Sequence, residues 1–287
     1  MKMIEKILQI PYLSTIDPIW ISLGPLLAIN VILLLGLGFF RLTYHSRPRH
    51  EDIDLKEHSR FLSRFPKEYW YWLTSPFVKL MVKLHVTPNV ITVWGFVICC
   101  ISAYFFHKGM IGAGGWFMIF GASFDLFDGQ VARLTGKASK SGAFFDSVMD
   151  RFSEGVVFLG LASYYRSSFV LYFVVLALVG SMMVSYTRAR GEGVGVDVKK
   201  GIMQRAERIV YLGVGSIFSP IVAYFLLPVF QVPIDFMTIG AIMLIAILTN
   251  ISALYRMRYV IRRLDPRPRE TDTFLARLIH RWNNLGS

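Results

Sequence analysis

The chain has 287 residues, a hydrophobic fraction of 54% and a formal net charge of +12, from 31 Lys and Arg against 19 Asp and Glu. This hydrophobic fraction exceeds that of ordinary soluble domains, so the composition indicates an integral membrane protein. The basic residues stand in short blocks between long apolar stretches, a pattern typical of membrane loops that excludes a nucleic-acid footprint. The two cysteines, Cys99 and Cys100, are neighbours in an apolar stretch and can build neither a disulfide framework nor a zinc site.

Seven apolar stretches predict helices that cross the membrane. They are Ile19–Phe40, Val90–Phe106, Ile111–Phe124, Val156–Tyr165, Phe169–Thr187, Ile209–Phe230 and Phe236–Tyr255. The third and fourth stretches are too short to cross about 30 Å of hydrocarbon by themselves. We therefore predict that these two helices extend as Ile111–Arg133 and Gly142–Tyr165, so that the aspartates in the extensions belong to spanning helices.

The first apolar stretch is predicted to be a retained membrane anchor. It begins late for a signal peptide and lacks a small-residue cleavage site before Arg41. Between the first two spans, Phe61–Leu84 mixes aromatic with basic residues, which predicts an amphipathic helix at the level of the lipid headgroups. Pro88 then marks the start of the next helix.

The distribution of Lys and Arg between alternate loops predicts the orientation in the membrane. With seven spans, all 31 of these residues fall on one face except Lys2, Lys6, Lys108 and Arg166. We therefore expect the N-terminus outside and the basic loops in the cytoplasm. The chain then divides into an anchor helix with a basic cytoplasmic linker (residues 1–60), a membrane domain (61–258) and a basic cytoplasmic tail (259–287).

Four aspartates and four neighbouring residues form the most informative pattern in the sequence. These eight positions are Asp125, Asp128, Gly129, Ala132, Arg133, Gly142, Asp146 and Asp150. At about 100° per residue, the first five fall on one face of a helix and the last three on one face of the next. The Leu134–Ser141 segment, which contains Gly136, predicts a turn that brings the two carboxylate faces together.

Four carboxylates at this depth need a compensating charge. Each aspartate in hydrocarbon costs about 2.5–3.5 kcal/mol on insertion scales, so we predict a hydrated cytoplasmic cavity that holds divalent cations. Oxygen ligands without His or Cys favour Mg²⁺, Mn²⁺ or Ca²⁺ over zinc, and two such ions suit phosphoryl chemistry. Gly129 and Ala132 would leave room for a phosphate or nucleotide, with Arg133 pairing from the rim.

Other interpretations compete with this one. Gly129, Ala132 and Gly142 would also allow close packing of membrane helices, and Arg133 would also serve as a cytoplasmic topology charge. An intramembrane prenyltransferase also uses aspartates and Mg²⁺, although the Asp-Gly-x-x-Ala-Arg core fits it poorly. A cation transporter or channel could line its path with aspartates, but no matching acidic set stands at the outer helix ends.

The eight positions match the signature of the CDP-alcohol phosphotransferase family, which the chain resembles from about Trp70 to Tyr255. The resemblance implies an all-α membrane fold with six core helices, usually as a homodimer in the lipid bilayer. It also implies transfer of a substituted phosphoryl group from a CDP-linked lipid to an alcohol, with release of CMP. The anchor helix and the Arg-rich tail lie outside the resemblance.

The resemblance also implies roles for individual residues. Asp125, Asp128 and Asp146 would be metal ligands for Mg²⁺ or Mn²⁺, and Asp150 would lie near the metals as general base for the acceptor hydroxyl. The CDP site would comprise Asp125, Gly129, Ala132, Arg133 and Gly142.

Basic residues at two cytoplasmic helix ends bear on the acceptor. The contexts of Arg188 and Arg190, and of Arg205 and Arg208, resemble stretches of the phosphatidylinositol-phosphate synthase branch, in which basic residues hold the phosphate of inositol phosphate. Arginine suits this task because it pairs with phosphate in a bidentate manner. We expect inositol phosphate as the acceptor, with glycerol phosphate, free inositol and serine as alternatives. Arg188, Arg205 and Arg208 are the predicted phosphate contacts.

Overall fold

The computed structural model describes residues 18–43, 64–198, 202–226 and 233–265. These residues form eight α-helices and no strand, which confirms the predicted all-α fold. The helices are α1 (Pro18–Thr43), α2 (Arg64–Lys83), α3 (Pro88–His107), α4 (Ile111–Leu134), α5 (Lys140–Tyr164), α6 (Val170–Gly193), α7 (Arg205–Leu226) and α8 (Phe236–Leu264). Most of the predicted basic linker and tail lies outside the described residues, so the division into domains stays a prediction.

Five of the helices, α1, α3, α6, α7 and α8, are long and apolar enough to cross a membrane. The protein is therefore a multi-pass membrane protein, as predicted. The helices that carry the aspartates, α4 and α5, have 24 and 25 residues, which is also a spanning length. Their charges keep them out of the apolar group, so the count of seven spans stays a prediction.

Small residues bring the helices that carry the site into close contact. Gly95 of α3 and Gly121 of α4 face each other so closely that a Cβ on Gly121 would lie 3.0 Å from the Gly95 carbonyl oxygen. Gly160 of α5 lies directly against the backbone of Ala103 in α3. Small residues allow this approach between membrane helices, and α3 thereby becomes the common support of α4 and α5.

Two clusters of buried apolar side chains fill the bundle. The larger one includes Phe106, Phe158 and Leu161, and partly buried side chains of α6 to α8 pack against it. The smaller one joins Val78 of α2 to Val131 of α4. Because Val131 follows Asp128 by one turn, this second cluster fixes the part of α4 that carries the first aspartates.

The anchor helix α1 packs against α4, α7 and α2. At one end, the Trp116 indole of α4 donates a hydrogen bond to the Ser22 carbonyl at 3.2 Å. Further along α1, the Tyr69 hydroxyl of α2 donates to the Leu33 carbonyl at 2.6 Å. The predicted amphipathic segment therefore forms a helix, and this helix is tied to the anchor.

Candidate active site

Two of the four aspartates lie in the second half of α4 and two in the first half of α5, and the turn between these helices brings them together. One carboxylate oxygen from each of Asp125, Asp128 and Asp146 lies within 4.8 Å of the other two. Asp150 stands one turn beyond Asp146 on α5, outside this group of three. The structure thus brings together the two carboxylate faces that the spacing predicted.

The turn from α4 to α5 is short because both helices have strong end signals. Gly136 adopts a φ of 65°, in the left-handed region that glycine tolerates best. The Lys137 amide donates to the Ala132 carbonyl at 2.9 Å, which closes the end of α4. The Ser139 hydroxyl accepts from the Gly142 amide at 3.1 Å and caps α5. This cap explains why α5 begins at Lys140, two residues before the predicted start.

Asp128 is the most deeply buried of the four aspartates, with a relative exposure of 6%. The Thr92 hydroxyl of α3 donates a hydrogen bond to Asp128 Oδ2 at 2.6 Å and so fixes the orientation of the carboxylate. Partners behind a metal ligand commonly set its orientation in this way. Sequence reasoning missed Thr92, since no periodicity connects two residues that lie on different helices.

The donor set fits a hard divalent cation. Three carboxylate oxygens converge, and Asp146 Oδ1 is buried without a hydrogen-bond partner among the described residues. A buried acceptor of this kind is costly unless a cation or water satisfies it. Magnesium, manganese and calcium all prefer such oxygen ligands.

Three of the residues predicted for the CDP site have little or no side chain. Gly129, Ala132 and Gly142 are half-buried, and Arg133 is exposed. The Arg133 guanidinium lies over Gly129, where an added Cβ would be 3.4 Å from Nη1. The space beside Gly129 is therefore bounded by the long, flexible side chain of Arg133. The contacts of these residues with CDP stay a prediction.

Of the three arginines predicted for the acceptor, one reaches the aspartates. Arg205, the first residue of α7, contacts Asp125 Oδ2 through Nη1, and the same nitrogen lies 2.8 Å from Asp150 Oδ1. Its side chain retains a relative exposure of 23%. Arg205 is thus placed where an anion bound beside the aspartates could meet it.

The other two arginines have partners within the protein. Arg208 donates to Glu154 from Nε at 2.5 Å and from Nη2 at 2.8 Å, and its Nη1 donates to the Met203 carbonyl at 3.1 Å. Arg188 pairs with Glu192 on the exposed face of α6, at 2.9 Å. A phosphate contact from either arginine therefore stays a prediction.

Glu154 is a second residue that sequence reasoning missed. It is buried, and it follows Asp150 by the same step of four that separates Asp146 from Asp150. The spacing was available as a signal, because continuing the helical period by one turn leads to this residue.

Three comparisons relate the chain to known proteins. A sequence model of the family described as CDP-alcohol phosphatidyltransferase matches residues 85–251. An archaetidylinositol phosphate synthase of Pyrococcus horikoshii is 38% identical over 145 residues, which is 50% of this chain and 76% of that protein. A phosphatidylinositol phosphate synthase of Cutibacterium acnes is 34% identical over 146 residues, 49% of this chain and 70% of that protein.

Solved structures of a relative share this fold. The crystal structure of Mycobacterium tuberculosis phosphatidylinositol phosphate synthase with CDP-DAG bound matches with a TM-score of 0.57 and 27% identity, covering 65% of this chain and 92% of that one. The same enzyme in complex with manganese and citrate matches with a TM-score of 0.57 and 28% identity, covering 65% and 88%. Since the family match spans more than half of the sequence and includes all eight signature positions, the chain is an enzyme that belongs to the CDP-alcohol phosphatidyltransferase family.

Proposed function

We propose that this enzyme transfers a phosphatidyl-type group from a CDP-linked lipid to inositol phosphate and releases CMP. The observation that carries the acceptor assignment is the position of Arg205 beside Asp125 and Asp150. A phosphate held by this guanidinium, at the N-terminus of α7, would place the rest of the acceptor next to the carboxylates. The names of the archaeal and bacterial relatives support the same acceptor, and the CDP-DAG complex of the mycobacterial relative supports the donor.

We propose that Asp125, Asp128 and Asp146 hold two divalent cations, Mg²⁺ or Mn²⁺, with Asp150 at their edge. When bound, such ions neutralise the negative charge of the donor diphosphate and of the departing CMP. Thr92 would keep Asp128 in a fixed orientation for this task. The manganese complex of the mycobacterial relative supports a divalent ion in this fold.

Asp150 is the proposed general base. It would accept the proton of the acceptor hydroxyl while that oxygen forms a bond to the lipid-linked phosphorus and the bond from this phosphorus to the CMP oxygen breaks. The Asp150 side chain has a relative exposure of 16%, so it can be reached from the cluster without facing bulk water.

The proposed CDP site uses the remaining signature residues. Gly129, Ala132 and Gly142 provide a surface without bulky side chains for the nucleotide, and Arg133 would pair with its phosphates. Asp125 would belong to both the metal site and the CDP site. This arrangement would leave the lipid tails of the donor at the membrane-facing side of the helices.

The proposed setting is the cytoplasmic side of the membrane. The bias of Lys and Arg toward the loops on the same side as the α4–α5 turn supports this orientation. We further propose that residues 61–258 form the membrane domain and that the enzyme acts as a homodimer.

A panel of acceptors tests the proposed reaction. Purified enzyme with CDP-diacylglycerol and Mn²⁺ receives inositol 1-phosphate, glycerol 3-phosphate, inositol or serine, and the release of CMP is measured. We expect CMP with inositol 1-phosphate. Release of CMP only with an unphosphorylated alcohol would refute the phosphate site, and release only with glycerol 3-phosphate would change the acceptor while retaining that site.

A further inference from the structure

Two ion pairs connect α5 to α7 at neighbouring levels of the bundle. Asp150 and Glu154 lie one turn apart on α5, and Arg205 and Arg208 lie almost one turn apart on α7. Asp150 faces Arg205, and Glu154 faces Arg208. The two pairs occupy equivalent positions on the same two helices. They differ in how deeply they are buried and in how many of their polar atoms have hydrogen-bond partners.

The deeper pair, Glu154 and Arg208, is buried and fully hydrogen-bonded. The two side chains are only 7% and 2% exposed, and both carboxylate oxygens of Glu154 accept hydrogen bonds. The third bond of Arg208, to the Met203 carbonyl, ties the segment before α7 to the same point. This pair therefore sets the distance between α5 and the first turn of α7.

The outer pair is incompletely satisfied. Arg205 Nε is buried and has no hydrogen-bond partner among the described residues. Asp150 Oδ1 lies 2.8 Å from Arg205 Nη1, yet it too lacks a hydrogen bond of normal geometry within the described part of the chain. Arg205 also lines a cavity of about 20 Å³, which is large enough for a water molecule and is bounded mostly by apolar side chains. The unpartnered Nε and the partly exposed side chain show that the present position of Arg205 does not use all of its hydrogen-bonding capacity.

Arg205 also contacts one of the proposed metal ligands. Its Nη1 contacts Asp125, which is one of the three residues whose oxygens converge. A divalent cation held by Asp125 would repel the positively charged guanidinium beside it, so the two cations would compete for the charge of the same carboxylate. Arg151, the other cation near Asp150, lies 3.6 Å from it and donates to the Ser147 carbonyl of its own helix, so it stands beside the cluster instead of within it.

We propose that Arg205 is an exchangeable counter-ion of the aspartate cluster. While no metal is bound, it holds Asp125 and Asp150. With a divalent cation held at Asp125, the Arg205 guanidinium would leave the two carboxylates and bind the phosphate of the acceptor. The second half of this inference rests on the proposed function, whereas the competition between Arg205 and the metal does not. The consequence is that metal and acceptor phosphate strengthen each other's binding.

Binding of Mn²⁺ without donor or acceptor tests the competition. The fraction of free Mn²⁺ is measured by electron paramagnetic resonance for the full-length wild type, Arg205→Gln and Arg151→Gln. Arg151→Gln is the matched control, because it removes a positive charge near Asp150 and keeps the contact between Arg205 and Asp125. We expect Arg205→Gln to bind Mn²⁺ at least about fivefold more tightly, the lower end of ordinary coupling between ligands. An unchanged or weaker affinity, or an equal gain in Arg151→Gln, would overturn the competition.

Thermal melting of the same variants separates this result from misfolding. Without metal, Arg205→Gln leaves the aspartates without their nearest counter-charge, so its melting temperature should fall. Saturating Mn²⁺ should then raise its melting temperature by more than it raises that of the wild type. An Mn²⁺-induced rise no larger than in the wild type would contradict the proposal.

The link to the acceptor is tested from the metal side, because coupling between two ligands is reciprocal. Saturating inositol 1-phosphate should tighten Mn²⁺ binding to the wild type but leave that of Arg205→Gln unchanged. An equal tightening in both proteins would overturn the exchange, because the coupling would then bypass Arg205. If inositol 1-phosphate had no effect on the wild type while the competition held, the proposed acceptor would fail and the counter-ion role would stand.

Discussion

At the scale of single residues, the site is an acidic cluster whose members differ in their surroundings. Asp128 receives a hydrogen bond from Thr92, Asp125 contacts Arg205, and Asp146 keeps a buried oxygen without a partner among the described residues. Residues of one type therefore have different surroundings, which is consistent with the separate tasks that we propose for them. The helical period placed the four aspartates on two faces, and the family resemblance indicated Arg205. The contacts that Thr92 and Arg205 make with the cluster come from other helices and required the tertiary structure.

The proposed base leads to the residue-scale prediction. Asp150→Asn keeps the size of the side chain but removes its ability to accept the hydroxyl proton. We expect the rate of CMP release to fall by about 10²-fold to 10⁴-fold, the usual contribution of general base catalysis. Binding of the CDP-linked lipid, measured separately by its effect on the melting temperature, should change little.

The exposed Asp197 supplies a matched control for this experiment, since Asp197→Asn makes the same chemical change at an aspartate outside the signature. Its rate should stay close to that of the wild type. Substantial turnover by Asp150→Asn would remove Asp150 from the role of base.

At the scale of elements, close helix contacts hold the two aspartate faces in register. Gly160 lies ten residues beyond Asp150 on α5, where it touches the backbone of Ala103. Gly160→Ala must push α5 away from α3, because a backbone cannot give way as a flexible side chain can. We expect a lower melting temperature, with a loss of stability of about 1–3 kcal/mol as is typical of overpacked sites.

Gly240 on α8 offers the comparison, because no heavy atom lies within 4 Å of the position that its Cβ would occupy. Gly240→Ala should leave the melting temperature unchanged or raise it, since alanine favours helices. If Gly160→Ala melted at or above the wild-type temperature, the close contact between α3 and α5 at Gly160 would not be required for stability.

The helix ends show which structural features could be predicted from the sequence and which could not. Apolar stretches predicted where helices lie, and the glycine and serine between α4 and α5 fixed their turn. The end of α8 was predicted at Tyr255 because Arg256 normally terminates an apolar span. In the structure the helix continues to Leu264, since Arg256 is buried and donates to the Val184 carbonyl at 2.7 Å. A local pattern does not contain such a partner on another helix.

At the scale of the whole molecule, orientation in the membrane decides which compartment supplies the acceptor. The α4–α5 turn carries the exposed Lys137, and the α5–α6 turn carries the exposed Ser167. At a rise of about 1.5 Å per residue, the 25 residues of α5 are long enough to separate these two turns by the thickness of a bilayer. The two turns therefore report on opposite faces if α5 spans the membrane.

Labelling from outside the cell tests this arrangement. Lys137→Cys and Ser167→Cys are made in a background that lacks Cys99 and Cys100 and are treated with a maleimide that cannot cross the membrane. We expect Ser167→Cys to react in intact cells and Lys137→Cys only after permeabilisation, because the positive-inside bias places the α4–α5 turn in the cytoplasm. Reaction of Lys137→Cys in intact cells would place the aspartates at the outer face. Equal protection of both positions would show that α5 does not cross the membrane, and the acceptor would then have to reach the cluster by another route.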